Sequence, residues 1–263
     1  MDIFPLDLVL AVTVASATIF LGFLPTRNIR SPFFMQETFK ALVAWVFIAM
    51  FSPAAIRHYY FFIAILCFGS WWQFRRDKAL SGKMWLSIAS GLGISIGVML
   101  ILAVTPRAYP AGLSDLSRTL LLASIYLGGS VIGLAYVSYI LIQGSPARSG
   151  ATHDQIQRYL GLLSILVLAR AGVLLASVFI PTKVMGRAEG HAFSIDGSGY
   201  TLLGSISLQT LLVLGLVVII LPILAFAVQR TIRLHASIQA STMLAGICLI
   251  GFLAEILARM LLL

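Results

Sequence analysis

The sequence predicts an all-α fold, a polytopic transmembrane helical bundle of about eight spans. Three observations carry this. The 263 residues are 60% hydrophobic and only 10% charged, whereas a soluble domain carries roughly 25% charged residues. The mean hydropathy is +1.01. The apolar runs are continuous and about twenty residues long, enough to cross a hydrocarbon core of ~30 Å as a helix. A transmembrane barrel would need alternating strands of ~10 residues instead, and helices satisfy their own backbone groups in lipid. The whole chain, residues 1–263, reads as one transmembrane domain.

The spans fall at residues 6–25, 37–55, 58–74, 84–105, 118–143, 159–181, 201–228 and 236–262. The start, MDIFPLDLV, has no positive charge ahead of its apolar run, which argues against a cleaved signal peptide. Only Ser52 to His58 divides the second span from the third, and Pro53 with Arg57 marks a tight hairpin. Trp71 and Trp72 beside Arg75 and Arg76, with Trp85 opposite, read as an interfacial aromatic belt. In the fourth span Ala89, Gly93 and Gly97 recur every four residues, as do Ser87, Gly91 and Ser95; the fifth carries Gly129 and Gly133. Such small-residue faces let helix backbones approach closely. Pro222 predicts a kink in the seventh span. The longest polar loop, Thr182 to Tyr200, is glycine-rich and holds Glu189, His191 and Asp196. Ser145 to Asp154 reads as a turn whose end caps the sixth span.

Loop charges set the orientation. The first, third, fifth and seventh loops hold eleven basic residues and the others five. That excess marks the first set as cytoplasmic and puts both termini outside. The localisation expected is a bacterial-type inner membrane, multi-pass. The net charge of +9 then reflects topology and contact with anionic lipid headgroups, not nucleic acid. Bound lipid is expected.

One span contains a residue foreign to oil. Arg170 lies near the middle of Leu160 to Pro181, and a guanidinium does not deprotonate. Its burial at the bilayer centre costs at least ~2.5 kcal/mol, so it must turn toward a partner. Glu255 in the last span sits four residues before Arg259, on one helix face. By the helical rise Glu255 is about 10 Å and Arg170 about 16 Å from the outer ends of their helices. The expectation is an intramembrane charge group of Arg170, Glu255 and Arg259, with Arg170 and Glu255 as neighbours. Its plainest role is structural; moving protons or holding a polar headgroup is the alternative.

Catalytic signatures are missing. His58, His153, His191 and His235 all lie off mid-span, and His58 and His235 begin at opposite faces, so no haem is predicted. Metal-ligand spacings, a nucleophile elbow and a phosphate loop are not found. Cys67 and Cys248 fall in apolar surroundings and read as inert. No catalytic residue and no metal site is assigned. His58, Tyr59 and Tyr60 form a polar aromatic cluster at the outer interface, a candidate quinone- or ligand-binding group with Phe61 and Phe62 beside the ring.

The chain ends ICLIGFLAEILARMLLL. Glu255-x-x-x-Arg259 there resembles the final helix of the membrane-anchor subunits of dimethyl-sulfoxide-reductase and polysulfide-reductase type enzymes. The resemblance covers this last helix only. It implies about eight helices, no metal in the membrane part, a quinone or quinol site near the outer face, and electrons passed to an iron–sulfur partner.

The function expected is therefore an integral-membrane subunit of a larger bacterial complex, interacting with quinone, its partners being other membrane or peripheral subunits. Two alternatives stand beside it: a transporter or channel-like protein with Arg170 lining the path beside Gln209, Thr210 and Tyr126, and a structural or assembly subunit without chemistry of its own.

Overall fold

The computed structural model describes residues 5–25, 29, 31–108, 115–143, 151–179, 212–234 and 237–260. Its described elements are helical: α1 (Pro5–Phe23), α2 (Ser31–Phe51), α3 (Ala54–Arg75), α4 (Ala79–Ala108), α5 (Asp115–Gln143), α6 (His153–Phe179), a π-helical stretch Gly215–Ile220 running into α7 (Leu221–Arg233), and α8 (Ser237–Met260). No strand occurs among the described residues. Among the described residues six helices are long and apolar enough to cross a membrane: Ser31–Phe51, Ala79–Leu100, Leu122–Gln143, His153–Ala176, Leu212–Arg233 and Ser237–Ala258. The apolar part of α1, Asp7–Phe23, is shorter. In α3, Arg57, His58, Tyr59 and Tyr60 dilute the apolar run.

Several helices begin earlier than the sequence reading places them. α2 starts at Ser31, α4 at Ala79 and α6 at His153. Charges read as loop residues, Lys40, Lys83 and Arg158, thus belong to helices. The α2–α3 hairpin is as tight as Pro53 implies: the Ser52 hydroxyl donates to the Ile48 carbonyl at 2.6 Å, and Arg57 caps the Ser52 carbonyl at 3.2 Å. Asp77, at φ 54°, turns the chain between α3 and α4. Pro222 has no N–H to offer the carbonyl one turn back. A π-helical stretch, Gly215–Ile220, lies just before it, an uncommon insert in a helix. The Thr182–Tyr200 loop, residues 145–150, Gln209 and Thr210 lie outside the described residues.

The core has two halves and a shared end. Trp45, Ile48, Ile56, Tyr60 and Ile63 fill one half, between α1, α2, α3 and α4. Leu134, Leu163, Val217, Leu244 and Ile247 fill the other, between α5, α6, α7 and α8. Leu21, Phe34, Phe74, Leu86 and Leu141 join the halves at one end. Between the halves α1 crosses α5. A Cβ on Gly133 would sit 2.6 Å from the Ala17 backbone nitrogen, so only glycine permits that approach. Of the two small-residue rows on α4, Ala89, Gly93 and Gly97 form the packed one; Gly93 faces Ala15 and Trp45, while Gly91 faces open space.

Polar side chains tie neighbouring helices together. Tyr126 donates to the Ile94 carbonyl at 2.7 Å, Tyr159 to the Phe20 carbonyl at 3.0 Å, and Ser90 to the Thr18 hydroxyl at 2.8 Å. Lys83 donates to the Leu24 carbonyl. At the end of α3 the Arg75 guanidinium lies 5.6 Å from the Trp71 ring and Arg76 lies 4.8 Å from Trp72. These rings and cations form the aromatic belt.

Candidate functional site

α6 carries Arg170 on its inward face, and α8 carries Glu255 on its own. The two form an ion pair, each only 2% exposed. Arg170 also donates from Nη1 to the backbone carbonyl of Ser124 on α5, at 2.7 Å. A helical carbonyl has a second lone pair free for such a bond. One turn further along α5 stands Gly128. A Cβ there would collide with both the Glu255 carboxylate and the Arg170 guanidinium. The pair thus occupies the volume that any other residue at position 128 would claim. Three helices meet at a single charge couple: α5 gives the carbonyl and the space, α6 the cation, α8 the anion. Arg259 lies on α8, and its side chain lies outside the described residues.

The cluster at the start of α3 is not one group. His58 and Tyr59 are exposed, their rings 4.0 Å apart, whereas Tyr60 is wholly buried. Successive residues on a helix point ~100° apart, so the three cannot line one pocket. Phe61 and Phe62 are exposed as well. The inward residue has different company. Tyr60 stacks on Trp45 of α2, centroids 5.8 Å apart. Asp7 of α1 is buried too. The hydroxyl of Tyr60, the indole nitrogen of Trp45 and Oδ2 of Asp7 are all without a hydrogen-bond partner. An unmet buried polar atom costs about 1–3 kcal/mol, so each of these three would gain from a polar partner.

A third constellation was not singled out from sequence. Glu37, 5% exposed on α2, accepts from Lys40 at 2.7 Å and from the Tyr136 hydroxyl of α5 at 3.0 Å. Its signal was an acidic residue three positions before a lysine, Glu37 and Lys40, at the start of the second span. Among the described residues no group of three or more His, Cys, Asp or Glu is placed to hold a metal ion. Cys67 lies inside the first core half, and Cys248 faces the Ile132 carbonyl at 3.8 Å.

The fold and its sites define a multi-pass membrane protein with a buried ion pair. Compared with protein-family models, characterised proteins and solved structures, the chain matches none.

Proposed function

We propose that this chain is an eight-span subunit of a larger inner-membrane complex, with both termini outside, and that it interacts with quinone near its outer end. The observation that carries the proposal is the buried, unpartnered set of Tyr60, Trp45 and Asp7. A quinone carbonyl accepts hydrogen bonds, which the Tyr60 hydroxyl and the Trp45 indole N–H can donate. A quinol hydroxyl donates, and the Asp7 carboxylate can accept both its bond and its proton. The final-helix resemblance supports the same reading and adds an iron–sulfur partner as the electron acceptor. His58 and Tyr59 then act at the rim, at the membrane surface.

The test is purification of the full chain in mild detergent, identification of co-purifying quinone and subunits, and titration with a quinol analogue. Loss of one such hydrogen bond is worth about 1.4 kcal/mol, or tenfold in affinity. Tyr60→Phe and Asp7→Asn should each weaken binding by about that factor, while His58→Ala changes it little. No co-purifying quinone, together with equal analogue binding by all variants, contradicts the proposal.

A structural or assembly role is the second reading, and the closure of α5, α6 and α8 on the Arg170–Glu255 pair favours it. It expects Arg170 variants to lose the assembled complex and not its turnover. A transport path lined by Arg170 has less support, because its guanidinium is engaged by Glu255 and the Ser124 carbonyl.

A further inference from the structure

A polar hollow of about 330 Å³ lies between α6 and α7, lined by Asp154, Gln157, Arg158, Gln229 and Arg233. It sits at the N-terminal end of α6 and the C-terminal end of α7, so both helices enter the apolar layer directly from it. Arg158 and Arg233, one from each helix, are exposed. The faces leading away from it are apolar. On α6, helical spacing carries Arg158 to Leu162 and Ile165, both exposed; on α7, Gln229 and Arg233 lead back to the exposed Phe226. Exposed cations around a polar hollow, with apolar helix faces running on from it, match one ligand class in charge and shape.

We infer that this crevice is a specific site for an anionic phospholipid with a glycerol-type headgroup. The phosphodiester lies between Arg158 and Arg233, whose planar guanidinium groups match its oxygens. Gln229 donates amide hydrogens to the same oxygens, and Gln157, whose amide nitrogen lies 2.8 Å from His153 Nε2, has its second hydrogen left for them. Asp154 on the rim would repel a bare anion, but it accepts from a headgroup hydroxyl. The acyl chains lie along Leu162, Ile165 and Phe226. Basic pockets between membrane helices hold acidic lipids in this manner. The site is separate from the quinone reading and does not depend on it.

The test uses the full chain in nanodiscs of phosphatidylcholine with a minor fraction of phosphatidylglycerol, extracted and read by native mass spectrometry. The wild type should retain phosphatidylglycerol and exchange it slowly. The double variant Arg158→Gln, Arg233→Gln should retain it on the order of tenfold less. The comparison variant Arg75→Gln, Arg76→Gln removes as much charge at the same interface and should retain it as the wild type does. Inorganic phosphate at millimolar concentration should not displace the lipid. Equal retention by the two double variants overturns the inference, as does displacement by inorganic phosphate, which would make the hollow a plain anion site. Because the changed residues are exposed, an unaltered thermal transition checks that both variants fold.

Discussion

Arg170 costs energy to bury, and its surroundings return that energy only because they are complete. Removing one member of a buried ion pair strands the other and costs about 3–5 kcal/mol. Space matters as much as charge. Gly128→Ala forces a methyl group into the pair, and overpacking of this kind costs about 1–3 kcal/mol. Gly172, two residues past Arg170, faces nothing within 4 Å. There, alanine should be neutral or stabilising by about 0.5–1 kcal/mol. Thermal unfolding in detergent should show Gly128→Ala lowering the transition and Gly172→Ala leaving or raising it; shifts of the same sign and size would separate Gly128 from the pair. A second residue-scale expectation concerns Glu37→Gln. It weakens the hold on Lys40 and Tyr136 together, so Tyr136→Phe in that background should cost less than in the wild type. Additive costs would mean that the two contacts act independently. Of these residues Arg170 was legible as the lone cation in an apolar run, and helical rise placed Glu255 at a compatible depth. Gly128 was not legible, since its role arises only where three helices cross.

At the scale of helices, tyrosine hydroxyls recur as ties between neighbours, two to main-chain carbonyls and one to the Glu37 carboxylate. Tyr126 reaches α4, Tyr136 reaches α2 and Tyr159 reaches α1. In membranes such bonds average about 0.6 kcal/mol and reach about 1.7 kcal/mol. Tyr126→Phe and Tyr159→Phe should therefore each cost about 0.6 kcal/mol, read by denaturant unfolding in mixed micelles. A loss above about 2 kcal/mol would mean that the hydroxyl does more than tie two helices. The apolar runs made the helices legible, and Pro53 the hairpin. Starting points were misjudged where an amphipathic first turn precedes the apolar run, as with Ser31 to Glu37 and His153 to Arg158. Pro222 signalled a defect, but not the π-helical stretch that lies just before it. His58, Tyr59 and Tyr60 are adjacent in sequence, but only Tyr60 turns into the core, and which of three successive helical residues does so is set by how α3 packs. Trp45 and Asp7, the companions of Tyr60, come from other helices, and spacing along the chain does not encode that meeting.

At the scale of the molecule, two packed halves share α1 and α5, and the ion pair lies within the second half, at the junction of α5, α6 and α8. The junction of these three helices is thus pinned by a buried ion pair. A double-mutant cycle on Arg170→Leu and Glu255→Leu, with unfolding measured in bicelles, tests this directly. Each single change should cost about 3–5 kcal/mol. The double variant should cost less than their sum by about 2 kcal/mol, since it leaves no stranded charge. Costs that add to within about 0.5 kcal/mol would contradict a bundle built around this pair.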